Sequence, residues 1–245
     1  LGAGMMGAGI AYVSAKAGME VVLLDTSQES AERGKAYSEG LLKKAIERGY
    51  STPDKAAALL GLIKPTTSYH DLQGCDLVIE AVFESVEIKA DVTAKTEAVV
   101  PETCIFASNT STLPITGLAR ASERPEQFIG LHFFSPVDKM PLVEIILGEK
   151  TNDEAIARSL DYIQQIRKTP IVVNDSRGFY TSRVFSTFTA EGISMLAEGV
   201  TPALIENAAK MAGMPVGPLA VTDEVTIELA YKIGKETAAA RGIDY

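Results

Sequence analysis

Short apolar runs alternate with polar, helix-length stretches along residues 1–174. The apolar runs are Val21-Val22-Leu23-Leu24, Asp76 to Val82, Thr103 to Ala107, Phe128 to His132, Leu142 to Ile146 and Pro170 to Val173. Asp76 to Val82 is a near-continuous apolar stretch, as expected for a strand buried on both faces of a parallel sheet. Between the runs, residues 27–49 predict a long polar helix with Leu41, Leu42, Ala45 and Ile46 on one face. Ser51-Thr52-Pro53 predicts a capped helix through Leu60, Ile63 starts a short extended piece, and Glu87 to Val99 and Asn152 to Arg167 predict further helices. Strands alternating with helices imply an α/β fold with a doubly wound, mostly parallel sheet. After Asn174-Asp175 the pattern becomes helical throughout, with helices expected over Arg177–Ala197, Thr201–Ala212 and Pro218–Lys232. A domain boundary is therefore expected near residue 174, dividing a sheet domain (1–174) from an all-helical C-terminal domain (175–245).

The start of the chain gives the sheet domain a chemistry. Gly2-Ala3-Gly4-Met5-Met6-Gly7 is G-x-G-x-x-G, and it runs into a helix-like segment through Ala17 that Gly18 ends. Alone the motif is weak, because small residues also serve helix packing. Here a helix, a second strand and Asp25 follow at the spacing a Rossmann-type dinucleotide fold requires. Glycine lets the backbone approach a pyrophosphate, the helix N-terminus offers N–H groups and a positive dipole, and Asp25 can accept from a ribose hydroxyl. Thr26-Ser27-Gln28 brings no arginine, which favours NAD over NADP. A strand is expected ahead of Gly2, so the chain reads as part of a longer one with its first strand truncated.

Composition narrows the partners. The chain is 46% hydrophobic and 22% charged with a net charge of −9, which disfavours nucleic acid and anionic membrane surfaces. No run is long enough to span a bilayer, and no secretory signal is visible. Cys75 and Cys104 each border or enter an apolar run, so buried, reduced thiols in a cytoplasmic protein are expected, and no metal-ligand spacing occurs. The basic cluster of Lys43, Lys44 and Arg48 is a solvated face or, on a sharper reading, a phosphate-binding one.

An acid–base pair is the remaining candidate. His132 sits in a strongly apolar setting, and Glu144 alternates with Leu142 and Ile146 along a strand-like run. A dyad needs one group that titrates near neutral pH and a second that fixes its tautomer and steadies its cation. These two fit if the chain folds back between them. The competing reading is a hydrogen-bonded core histidine and a strand-edge glutamate. Ser108-Asn109-Thr110-Ser111 would be delivered by its strand to the same carboxyl edge, where ligands of open α/β sheets bind; Glu84 sits just past another strand end there.

These residues resemble the 3-hydroxyacyl-CoA dehydrogenase family, most closely the dehydrogenase portion of the bifunctional alpha subunits of fatty-acid oxidation complexes. The likeness runs nearly end to end, through GAGMMGAGIA, LVIEAVFE, SNTSTLPIT, GLHFFSPVDKMPLVEII, RGFYTSR and MPVGPLAVTDEV. It implies an NAD-binding Rossmann domain and a helical substrate and dimerisation domain, oxidising 3-hydroxyacyl-CoA to 3-ketoacyl-CoA in β-oxidation. It implies His132 as base, Glu144 as its orienting carboxylate and Ser111 on the reacting oxygen. Gly2, Gly4, Met5, Met6, Gly7, Asp25, Glu84, Lys89 and Asn109 fall on cofactor-side positions, while Asn109, Arg48 and Ser182 join Ser111 on the substrate side. A homodimer, or a complex with a thiolase subunit, is implied as well. The family commonly has asparagine where this chain has Ser182, and glycine and aspartate where it has Thr226 and Glu228; it usually carries a C-terminal tail beyond the position of Tyr245. A stand-alone 3-hydroxybutyryl-CoA dehydrogenase and a non-catalytic NADH-binding protein of the same fold remain open on these residues.

Overall fold

The computed structural model describes residues 1–225 together with residues 231, 234, 235, 238, 239 and 242. Two compact units divide between Tyr180 and Thr181. In the first, α1 (Met5–Lys16), β1 (Val21–Leu24), α2 (Gln28–Glu47), α3 (Pro53–Gly61) and β2 (Ile63–Thr66) come first. Then follow β3 (Leu77–Glu80), α4 (Val86–Glu97), β4 (Ile105–Ser108), the short α5 (Ile115–Leu118), β5 (Phe128–Phe133), β6 (Leu142–Leu147), α6 (Asp153–Gln165) and β7 (Thr169–Asn174). The cap anticipated at Ser51-Thr52 is Thr52, whose side chain accepts an N–H bond at the start of α3, and Ser27, Ser85 and Asn152 do the same for α2, α4 and α6.

Strands β3-β4-β5-β6-β7 form one sheet and β1-β2 a second, all pairs parallel except β5–β6. Alternation along the central strands sends side chains into two cores. Ile105, Ala107, Ile129, Leu131 and Phe133 pack with Tyr162 and Ile163 of α6. On the opposite face Phe106, Phe128, Ile115 and Phe179 pack together, the Phe106 and Phe128 rings stacking at 5.2 Å between centroids. Both faces are covered, which accounts for the apolar runs in place of a strict alternation.

Leu1 ties the two sheets together. Its nitrogen donates to Ile79 O at 2.7 Å, its carbonyl accepts from Ala81 N at 2.7 Å, and Gly2 N donates to Leu24 O at 2.8 Å.

The second unit contains α7 (Thr181–Ala197), α8 (Pro202–Met211) and α9 (Pro218–Val225), with no strand among its described residues. Glu206 of α8 caps α9, accepting from Leu219 N at 2.9 Å and Ala220 N at 3.3 Å. Two expectations are corrected here. The helix read from Arg177 starts at Thr181, because Gly178 (φ 76°) and Phe179 (φ 47°) adopt left-handed backbone that a right-handed helix excludes. Residues 175–180 therefore belong with the sheet unit, Phe179 being buried in its core. Cys104 is buried as expected but Cys75 is only half-buried; burial pushes both thiols up, Cys104 to about 12. Thr226, Glu228 and Lys232 lie outside the described residues.

Candidate active site

The dyad follows from strand register. The antiparallel pairing of β5 with β6 sets His132 directly opposite Glu144, and directly opposed residues project to the same face. His132 Nδ1 lies 2.7 Å from Glu144 Oε2, with His132 6% exposed and Glu144 fully buried. The other carboxylate oxygen, Oε1, accepts from Tyr180 N at 3.1 Å. Of the two readings of a charge in an apolar strand, the geometry is that of the paired buried carboxylate. Two rings wall the imidazole: Phe134 at 4.5 Å and Phe179 at 5.9 Å between centroids. With Nδ1 engaged by a carboxylate, Nε2 is the nitrogen left to exchange a proton.

β4 lies beside β5, pairing Ser108 with Gly130, and the loop leaving it carries Asn109 and Ser111. Asn109 Oδ1 accepts from Phe133 N at 2.8 Å, which fixes the amide beside the strand that carries His132. Ser111 is exposed; its N–H donates to Glu84 Oε1 at 3.1 Å. The same oxygen accepts from the Thr110 hydroxyl at 2.5 Å and Thr112 N at 3.3 Å. Burial pushes the Glu84 carboxyl up, but the Lys89 ammonium at 3.3 Å, the Thr110 hydroxyl and the Ser111 N–H outweigh it and hold it below the ordinary range. Lys89 itself is buried in an ion pair with Glu80.

The glycine turn fits a dinucleotide. A Cβ on Gly2 (φ 84°) would stand 2.7 Å from Ala81 O, and one on Gly7 would stand 1.7 Å from Gly2 O, so neither position admits a side chain. Nothing lies within 4 Å of a Cβ on Gly4, which caps α1 with no side-chain bond and no acid in the first turn. The first N–H groups of α1, at Met5, Met6 and Gly7, are therefore left for an anion. Asp25 closes the turn, accepting from Ala3 N and Thr26 N at 2.6 Å each. Ser135 Oγ, three residues past His132, contacts Met5 Sδ at 3.5 Å, bringing the end of β5 to the glycine turn.

Arg48 is exposed at the C-terminal end of α2, and Ser182 lies in the first turn of α7 in the second unit. Glu80, Ser135, Phe134 and Phe179 were not singled out from sequence. Glu80 carried the one available signal, a carboxylate inside an apolar run.

The family described as 3-hydroxyacyl-CoA dehydrogenase, NAD binding domain, matches residues 1–176, and the corresponding C-terminal domain matches residues 178–244. The chain belongs to the 3-hydroxyacyl-CoA dehydrogenase family. Its residues 1–176 are the family's NAD-binding domain. The fatty acid oxidation complex subunit alpha of Pseudomonas aeruginosa is 44% identical over 231 residues, and that of Psychrobacter arcticus 42% over 228. These matches take in 94% and 93% of this chain but 32% of each relative, so the chain spans about a third of their length. Among solved structures, the (S)-3-hydroxybutyryl-CoA dehydrogenase of Ralstonia eutropha is 36% identical with a TM-score of 0.93, covering 97% of this chain and 85% of that one. The 3-hydroxybutyryl-CoA dehydrogenase of Escherichia coli is 33% identical with a TM-score of 0.94, covering 99% and 52%. Among the described residues no helix is long and apolar enough to cross a membrane, and no group of three metal-ligating side chains occurs.

Proposed function

We propose that this chain carries out the dehydrogenase step of fatty-acid β-oxidation, converting an L-3-hydroxyacyl-CoA to the 3-ketoacyl-CoA. The observation that carries the reading is the 2.7 Å contact between His132 Nδ1 and the fully buried Glu144. NAD, when bound, supplies the hydride acceptor. His132 Nε2 takes the proton of the C3 hydroxyl as negative charge builds on that oxygen, and returns it in the reverse direction. Glu144 holds the ring with Nδ1 protonated and stabilises the imidazolium, an interaction strengthened by exclusion of water from the strand pair. Ser111 donates to the reacting oxygen and Asn109 contacts the substrate, and Ser182 is read as a substrate-side residue of the second unit. Gly2, Gly4, Met5, Met6 and Gly7 hold the pyrophosphate, Asp25 the adenosine ribose and Glu84 the nicotinamide side, with Lys89 and Asn109 behind them. Arg48 meets a CoA phosphate. The remote CoA and adenosine groups contribute binding energy that orients the reacting carbon.

The chain is read as the dehydrogenase portion of a cytoplasmic enoyl-CoA hydratase/dehydrogenase polypeptide that pairs with a thiolase subunit. Exposed Val184, Phe185, Leu204 and Met211 on α7 and α8 support burial of that helical unit against a second copy. The likeness to the Ralstonia protein favours one alternative, a stand-alone 3-hydroxybutyryl-CoA dehydrogenase.

Acetoacetyl-CoA mixed with NADH and the chain should lower nicotinamide absorbance, and a ladder of acyl lengths separates the two readings. His132→Gln should reduce kcat by about 10²–10⁴-fold while NADH still binds. Equal rates in variant and parent remove the dyad assignment.

A further inference from the structure

Behind the cofactor-side loop lies a cluster of buried charge that the dyad does not use. Glu80 ends β3 and Lys89 sits in α4, their side chains 1% and 3% exposed. The Lys89 ammonium donates to both Glu80 oxygens at 2.9 Å and lies 3.3 Å from Glu84 Oε2, so each of its three hydrogens has a carboxylate acceptor. Glu80 also accepts from the Ser108 hydroxyl and from Val82 N at 3.2 Å, and its backbone carbonyl accepts from Asn109 N at 2.8 Å. Glu84 in turn accepts from Thr110, Ser111 and Thr112.

We propose that Glu80 is a positioning residue for cofactor binding, acting through Lys89 on Glu84 and the loop Ser108–Thr112. This rests on the NAD site described above, and it changes the part taken by Lys89, which offers a ligand almost no surface. Two carboxylates share one buried ammonium, Glu80 buried with it and Glu84 partly open to solvent. The bidentate grip of Glu80 fixes where that ammonium sits, and its remaining hydrogen fixes Glu84 from one side while loop N–H groups hold it from the other. Glu84 is thereby a crosspiece between α4 and the loop that carries Asn109 and Ser111. Without the Glu80 charge, Lys89 turns wholly to Glu84 and draws it off Thr110, Ser111 and Thr112.

NADH titration by cofactor fluorescence, with melting curves alongside, tests this on four forms: the parent, Glu80→Gln, Glu84→Gln and the double variant. Glu80→Gln should raise the NADH Kd about tenfold, and the double variant should bind no worse than Glu84→Gln alone, because both substitutions break one chain of contacts. If Glu80→Gln does not fold, Glu80→Leu paired with Lys89→Met replaces the buried ions with apolar groups of similar volume, an exchange that commonly preserves stability. That pair should melt near the parent yet bind NADH as weakly as Glu84→Gln. Additive losses in the cycle, or variants with lowered melting and an unchanged Kd, overturn the positioning role alone. A parent that binds no NADH overturns both this role and the cofactor site beneath it.

Discussion

The contact between His132 and Glu144 was legible because each breaks an apolar pattern, and a titratable side chain inside a strand has to find a partner. Glu80 breaks its pattern too, but its partner lies on the following helix, and the sequence gives no distance between Glu80 and Lys89. Phe179 left no trace, since a phenylalanine after glycine predicts neither left-handed backbone nor a ring against His132. Two outcomes are expected at this scale. Glu144→Gln keeps an acceptor near Nδ1 but removes the charge that steadies the imidazolium; kcat should fall about 10²-fold or more with NADH affinity unchanged. A stopped-flow rate within twofold of the parent excludes the charge as the operative feature. Glu84 is held below its ordinary value of 4.5, so its stabilising contribution is complete above that value and is lost as pH falls through the lower folded value. The melting difference between the parent and Glu84→Gln should accordingly be widest near neutral pH and shrink in acid. A difference that grows in acid reverses the sign and refutes the ion-pair account.

At the level of elements, periodicity located every long helix and strand of the sheet unit, and residue types such as Thr52-Pro53 marked helix starts. Small elements were missed. The four-residue helix α5 has no periodic signal, and its cap comes from far along the chain: Asp175, just past β7, accepts from Ile115 N at 2.9 Å and Thr116 N at 2.8 Å. Such a cap joins the exit of the sheet to the segment that follows Ser111, and only the tertiary fold reveals it. Asp175→Ala leaves two part-buried N–H groups without an acceptor and should cost about 1–3 kcal/mol. Differential scanning calorimetry should record a fall in Tm of about 2–4 °C per kcal/mol for a chain of this size. An unchanged Tm means that water replaces the carboxylate at no cost.

For the whole molecule, alternating runs of helix and strand predicted a doubly wound, mostly parallel sheet, and every strand pair is parallel except β5–β6, with Leu1 and Gly2 bonded to β3 and β1. Apolar runs report that a strand is buried but not which strand lies beside it. The consequence is a difference in protection between amides one residue apart. In parallel strands the N–H and C=O of one residue point to the same side, and successive residues alternate sides. Ile79 O and Leu24 O bond toward the Leu1–Gly2 junction, so the amides of Ile79 and Leu77, and of Leu24 and Val22, face the side of that junction. Val21 N instead donates to Leu62 O at 2.8 Å, and Val78 and Glu80 face β4. Hydrogen exchange in this chain, followed by NMR, should find Val22 and Leu77 exchanging faster than Val21 and Val78, and slowest exchange in β5, paired along both edges. Equal protection across β1 and β3 would mean that the amides of Val22 and Leu77 find acceptors in solution, a result that leaves the His132–Glu144 geometry untouched, since that pair is set by the register of β5 on β6.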